Sequence, residues 1–375
     1  MKKVFWWILG ILLSPVLLFI ILTILLYLPP VQRWAVDKAT AVASEETGMQ
    51  ITIDHVRLAF PLDLSLGDLR VIHAPDTIAD VERLVVDVRL LPLMTGRVVV
   101  NELEVLNTTL NTNGFVDAAR IKGRFGRLFV SSKGIDLGQQ TVELNGTRLE
   151  DAILDIALND SVPEDTTATE PTTWKIHIDE AAIHRSDITL HMPGDTMHVA
   201  THIGTLAVRE ALIDLENETY TVASVDLENG ALQYDNGPQL LANSQQPTAN
   251  SLDFNHIALS NVTIGIDSIY YHDPTMRLHL RQVALKEKSG LQVTDLSGPV
   301  CMEDGSLRLP KFRLKTPHSD IDVELDMPLS LMEPIDPGQM RLRMNAQLGK
   351  QDLMVFLADM PRDFRNRWPD QPLTF

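Results

Sequence analysis

Residues 86–105 read VDVRLLPLMTGRVVVNELEV, an alternating run, a Pro/Gly break and a second alternating run. Apolar side chains at every second position give a strand one dry face and one wet face. Leu84, Val86, Val88 and Leu90 form the dry side, against Val85, Asp87 and Arg89. The period returns far downstream, where Ile321, Val323, Leu325 and Met327 alternate with Asp320, Asp322, Glu324 and Asp326. It returns again where Met340, Leu342, Met344, Ala346 and Leu348 alternate with Arg341, Arg343, Asn345 and Gln347. The alternation slips at His55 and at Gly67-Asp68, which reads as bulges or tight turns and predicts a curved sheet.

The chain is therefore expected to be mainly β. After residue 48 one helix stands out, near KQDLMVFLADM (350–360), where Leu353, Phe356, Leu357 and Met360 share a stripe. One helix cannot cover so many strands. The sheet must either close on itself as a sandwich or barrel, or roll into a trough whose dry interior is filled by something else.

Five segments share a weak repeat: ELEVLNTTL from Glu102, GTRLEDAIL from Gly146, EAAIHRSDI from Glu180, SVDLENGAL from Ser224 and HIALSNVTI from His256. Each sets polar or turn-forming residues between apolar ones, the chemistry of a tight hairpin. Their spacing is too uneven for a solenoid, so they predict a meandering sheet built of hairpins.

The amino end is of another kind. Val4 to Leu28 carry no charge, a length sufficient to cross a bilayer as a helix, and no small-residue cleavage site follows. Val4, Trp6, Trp7 and Leu28 belong to this anchor. Lys2 and Lys3 precede it, while Asp37, Glu45 and Glu46 dilute the basic residues beyond, so the amino terminus is expected in the cytoplasm and the rest across the inner membrane. Pro29-Pro30 suits a helix start, and Val31, Trp34, Ala35, Ala39 and Val42 recur at helical spacing until Gly48. Two roles for this helix stay open: lying at the bilayer surface with Trp34 as an interfacial anchor, or capping the open end of the sheet.

The expected organisation is then an anchor (1–28), an amphipathic helix (29–48), a first β region (49–158), a polar linker (159–173), a continued β-groove (174–349), and a short helix with the start of a strand (350–375). The formal charge of −18 argues against nucleic acid as a partner, since binding to phosphate backbones needs clustered Lys and Arg. The one basic patch is Arg120, Lys122, Arg124 and Arg127, interleaved by Phe125 and Phe129. It reads as a lipid-headgroup contact or as a loop balancing local acidic charge.

No catalytic motif, metal set or cofactor motif is present. Cys301 is the only cysteine and reads as a strand residue near a Gly-Pro turn. His198 and His202 have the i, i+4 spacing of a zinc pair but lie in strand-like sequence, where such residues stand roughly 13 Å apart. His177 with Asp179, and His184 with Asp187, read as solvated strand faces rather than acid/base pairs.

The stretch from Leu64 to Leu110 resembles the amino-terminal region of the AsmA-like superfamily, and within it the TamB family of inner-membrane translocation and assembly subunits. The resemblance rests on the LGD turn at Leu66 to Asp68, the paired strands, and the LLPL-x-x-G break from Leu90 to Gly96. A second block, residues 290–327 with a TPHS turn at Thr316 to Ser319, is similar to the repeated strands of that family. Such proteins are several times longer, so the chain is expected to be an amino-terminal fragment.

The resemblance implies a taco-shaped periplasmic sheet with an apolar lumen, passing phospholipid acyl chains from the inner towards the outer membrane. The positions expected to face that lumen are Leu84, Val86, Val88, Leu90, Ile321, Val323, Leu325, Leu342 and Met344. A second implied role is assembly of outer-membrane β-barrel proteins or autotransporters with a TamA- or BamA-like barrel partner. A self-contained structural β-sandwich is the third reading.

Overall fold

The computed structural model describes residues 28–59, 63–73, 75–89, 100–112, 119–136, 139–159, 173–192, 197–236, 252–329, 339–356, 367, 369 and 371–375. It is mainly β, and all eighteen strands belong to one sheet. Val4, Trp6, Trp7, Leu90 and the LLPL-x-x-G break lie outside the described residues. No helix among the described residues is long and apolar enough to cross a membrane, and the expected span from Val4 lies outside them up to residue 27.

Helix α1 (Pro29–Thr47) starts on a proline at its first positions and ends on Gly48, whose φ of 69° is the left-handed geometry that glycine adopts freely. It runs along the outer edge of β1 (Gln50–Ala59). The Gln32 side chain both donates to the Leu58 carbonyl (3.3 Å) and accepts from the Leu58 amide (3.2 Å), and the Ser44 hydroxyl accepts from the Ile51 amide (3.1 Å). Edge groups that would otherwise template another chain are thereby satisfied. Trp34 remains 63% exposed. Its side-chain hydrogen bonds to β1 among the described residues are these three, at Leu58 and Ile51.

From β1 the sheet proceeds by antiparallel neighbours through β2 (Asp63–His73), β3 (Asp76–Val88), β4 (Val100–Asn111) and β5 (Ala119–Asp136). β5 is long enough to pair with both β6 (Thr141–Glu150) and β7 (Ile153–Leu158), placed one after the other along it. Both then pair in parallel with β8 (Lys175–His191). A parallel neighbour cannot be reached by a hairpin, so the meander expected throughout is interrupted once. Antiparallel order resumes through β9 (Met197–Asp214), β10 (Thr219–Asn236), β11 (His256–His272) and β12 (Thr275–Glu287). β12 pairs with β13 (Gln292–Val293) and β14 (Asp295–Glu303), followed by β15 (Ser306–Lys315), β16 (Asp320–Pro328), β17 (Arg341–Leu348) and β18 (Leu373–Thr374).

The five repeat segments are not hairpins. Asn107, Arg185, Asn229 and Asn261 sit inside β4, β8, β10 and β11, and Asp151 sits between the end-to-end β6 and β7. All five, with Asp68 in β2, have φ between 46° and 55°. They are kinks in strands that continue. The registers place them, with Gly126 and Gly204, on one line across the sheet from β2 to β11. At each kink the spacing of inward-facing positions lengthens to three residues, as from Val105 to the buried Thr108, Ile183 to the buried Ser186, Leu227 to Gly230 and Leu259 to Val262. Because neighbours kink together, the pairing register of β8 with β9, and of β9 with β10, is unchanged across the line. The slips at His55 and Gly67-Asp68 belong to the same crease, where His55 Nδ1 lies 3.0 Å from Asp68 Oδ2.

Helix α2 (Lys350–Phe356) closes the far end, with Asp352 accepting hydrogen bonds from the Thr316 and Ser319 hydroxyls. The expected helix is present in its first part, and residues 357–360 lie outside the described residues.

The crease gives a direct test of the fold. A Cβ on Gly204 would stand 2.7 Å from the Asn229 Cβ and 2.8 Å from the Glu228 carbonyl oxygen, with backbone that cannot give way. Gly204→Ala is expected to destabilise by about 1–3 kcal/mol. Gly134→Ala, with nothing within 4 Å of its new methyl group, is expected to be neutral or stabilising by up to about 1 kcal/mol. Urea denaturation of the two variants checks the contrast.

Candidate functional site

Directly opposed residues of neighbouring strands point to the same face, so the registers trace which side chains form a continuous surface. One such row begins Val56–Leu66–Leu84–Val105 on β1 to β4. It continues Leu128–Leu149–Ile183 on β5, β6 and β8. It ends Leu206–Leu227–Ile264–Val283 on β9 to β12. Every position is Val, Leu or Ile, and at the strand spacing of about 4.8 Å the row is roughly 50 Å long. A parallel row holds Leu64, Val86, Leu103 and Val130, and beyond the crease lies another with Val71, Ala79 and Leu110.

This face is only partly covered. Apart from Leu66, which is buried, the members of the first row are half-buried. All strands of the described residues belong to one sheet.

The expected lumen positions fall on this surface in two groups. Leu84 and Val86 belong to the rows just traced, and Val88 pairs with Val100 after a register shift. At the other end Val323 pairs with Met344 and with Phe312, Leu325 with Leu342, and Ile321 with Ala346. A cavity of about 420 Å³ opens beside Phe312, Val323 and Met344, and charged residues such as Arg313, Glu324 and Arg343 also line it. Leu342 and Met344 are 50% and 48% exposed.

The opposite face is charged and organised by the same registers. Glu104, Arg127, Glu150 and Arg185 form a chain across β4, β5, β6 and β8, with contacts of 2.7, 3.8 and 3.5 Å. This changes the reading of the basic patch. Arg127 is engaged in ion pairs and stacks 5.2 Å from the Phe129 ring, while Arg120, Lys122 and Arg124 remain an exposed stripe on β5. Phe125 is buried.

The histidines find partners that the sequence did not suggest. His191 and His198 face each other across β8 and β9 with Nδ1 atoms 2.7 Å apart, and His191 Nε2 lies 3.0 Å from Asp155. His202 contacts Asp187 at 2.7 Å, so His198 and His202 serve different neighbours. Asp179 is held by Lys133 at 2.8 Å and only distantly by His177, at 3.8 Å. Cys301 is half-buried, its Sγ 3.6 Å from Glu303. No set of three metal-ligating side chains comes together among the described residues.

Several carboxyls on the polar face are shifted by their partners. A hydrogen bond from Arg185 holds Asp151 below the usual carboxylate range, one from Lys133 does so for Asp179, one from Arg277 for Glu303 and one from Arg313 for Asp320. Asp63 moves the other way, raised by burial and then by the neighbouring Asp87.

The fold thus defines a class: a mainly β, single-sheet protein with one continuous apolar face and one ion-paired face. No family model matches the chain, and no curated protein matches it.

The depressed carboxyls set a pH dependence. Their folded-state pKa lies below the unfolded one, so the stability they add is present above about pH 4 and is lost as pH falls below it. Thermal melts at pH 7 and pH 3 are expected to show this loss, and Arg185→Gln with Arg313→Gln to flatten the difference. A pH profile unchanged in the double variant counts against the ion pairs as its source.

Proposed function

We propose that the chain is an inner-membrane-anchored periplasmic β-groove protein that conducts phospholipids between the inner and outer membranes, on the TamB pattern its sequence resembles. One observation carries this reading: the unbroken row of Val, Leu and Ile side chains from Val56 to Val283, left half-buried by the protein itself. An exposed apolar surface of this extent needs an occupant. Acyl chains fit it, since each CH2 taken from water contributes about 0.8 kcal/mol and needs no directional partner. The creased sheet is the rolled trough, its polar face turned to solvent. Residues 4–28 tie it to the membrane, and the exposed basic stripe of Arg120, Lys122 and Arg124 on the polar face contacts headgroups at a membrane surface rather than inside the trough. The process needs neither covalent catalysis nor a cofactor.

The test replaces Val86 and Leu342, in separate full-length chains, with a photo-crosslinking residue in cells, followed by mass spectrometry of the adducts. Phospholipid adducts are expected at both positions and not at Asp87 or Arg343 on the polar face. Adducts only to outer-membrane proteins would point to an assembly factor. Crosslinks confined to this chain would mean a closed sheet and overturn the proposal.

A further inference from the structure

Apart from the ion-pair chain of Glu104 to Arg185, the polar face brings two imidazoles together on β8 and β9. Met192 donates its amide to the Met197 carbonyl at 3.0 Å, so these residues form a hydrogen-bonded pair of the ladder. The next pair, His191 and His198, is then of the other kind, in which opposed side chains approach most closely. Their Nδ1 atoms stand 2.7 Å apart and their ring centres 4.8 Å apart, with the rings crossed at 80°. Both residues are half-buried.

The partners fix which nitrogens carry hydrogen. Asp155 Oδ2 lies 3.0 Å from His191 Nε2, and a carboxylate only accepts, so His191 carries its hydrogen on Nε2 and presents a lone pair at Nδ1. His198 Nδ1 donates into that lone pair. A ring held by a carboxylate through one nitrogen, with the other nitrogen free to bind, is the arrangement of a metal-ligating histidine. Two imidazoles bound side by side to one ion, at about 2.0–2.1 Å from metal to nitrogen, have ring centres roughly 4.5–5.2 Å apart. The separation of 4.8 Å lies inside that range. An ion therefore replaces the bridging hydrogen by rotation of the two rings, as His198 moves that hydrogen to Nε2.

Carboxylates flank the pair on both sides, Asp155 on β7 and Asp235 directly opposite His198 on β10. Arg120 and Lys122 share this face two strands from His191, on β5, opposite Ala157 and Asp155. We propose that His191 and His198 form a two-imidazole site for a divalent ion of the nickel, copper and zinc group, with Asp155 as the positioning residue. No third protein ligand joins them among the described residues, so water completes the coordination and the affinity is moderate. Bound there, the ion clips β8 to β9 on the face away from the apolar rows. The site is independent of what fills the trough.

The test titrates the full chain with Cu2+, read by calorimetry and by electron paramagnetic resonance, whose nitrogen splitting counts the bound imidazoles. One saturable site with two nitrogens is expected. His191→Gln and His198→Gln are each expected to weaken binding by at least about ten-fold and to lose the two-nitrogen signature. Asp155→Asn leaves both ligands in place and is expected to weaken binding by about ten-fold, which tests the site even where a histidine variant fails to fold. His202→Gln, whose imidazole contacts Asp187, is expected to leave binding unchanged. Absence of a saturable site, an affinity unchanged in His191→Gln or in Asp155→Asn, or a loss in His202→Gln as large as in His198→Gln overturns the proposal.

Discussion

An antiparallel ladder keeps its register through a kink only if neighbouring strands kink at the same place. Everything else in this sheet depends on that constraint. A single strand shifted by one residue would turn all its apolar side chains to the polar face. Here the cost of a left-handed residue is accepted on strand after strand, by Asp68, Asn107, Asp151, Arg185, Asn229 and Asn261. Between them Gly126 and Gly204 supply close approach, their hydrogens facing Asp151 and Asn229. Asp and Asn tolerate this backbone better than most residues, and Arg185 is held in it by Asp151, with contacts of 2.7 and 3.0 Å. Past the line the strands continue in phase, so the dry face stays dry on both sides of the crease.

The polar face is organised by ion pairs that link neighbouring strands. Exposed ion pairs contribute little to stability one by one, commonly below about 1 kcal/mol. Linked across strands, as from Glu104 to Arg185, they act instead on register, since a shifted strand would set like charges opposite each other. The apolar rows and the ionic rows therefore impose the same alignment from the two sides of the sheet.

Much of this was legible in the sequence, and the exceptions have physical causes. Strands such as β16 and β17 follow strict alternation and needed nothing more than the period of two. The crease was legible as a disturbance, in the slips at His55 and Gly67 and in the five repeats, but it was misread as hairpins. Asn, Asp and Gly supply left-handed backbone equally to a two-residue turn and to a mid-strand kink. What separates them is whether the chain reverses, which depends on partners distant in sequence. The parallel pairing of β6 and β7 with β8 left no local mark, because the residues on either side alternate as they would in a hairpin. The dry alternation of β3, β16 and β17 was legible residue by residue, while most of the row from Val56 to Val283 was not. The tie between Arg127 and Glu104, and the meeting of His191 with His198, depend on register and were not.

The evenness of the apolar row bears on what such a surface can do under the proposed reading. A pocket selects by differing from its surroundings, with a few polar groups that fix a ligand in one place. The row from Val56 to Val283 has no such feature, for each rung repeats its neighbour in size and chemistry. An acyl chain lying across it gains about the same free energy at every strand, so moving one strand onward exchanges one apolar contact for another. Half-burial also bounds the gain, because an open face removes less of the guest from water than an enclosed cavity would. A flat energy profile and moderate affinity suit passage rather than storage.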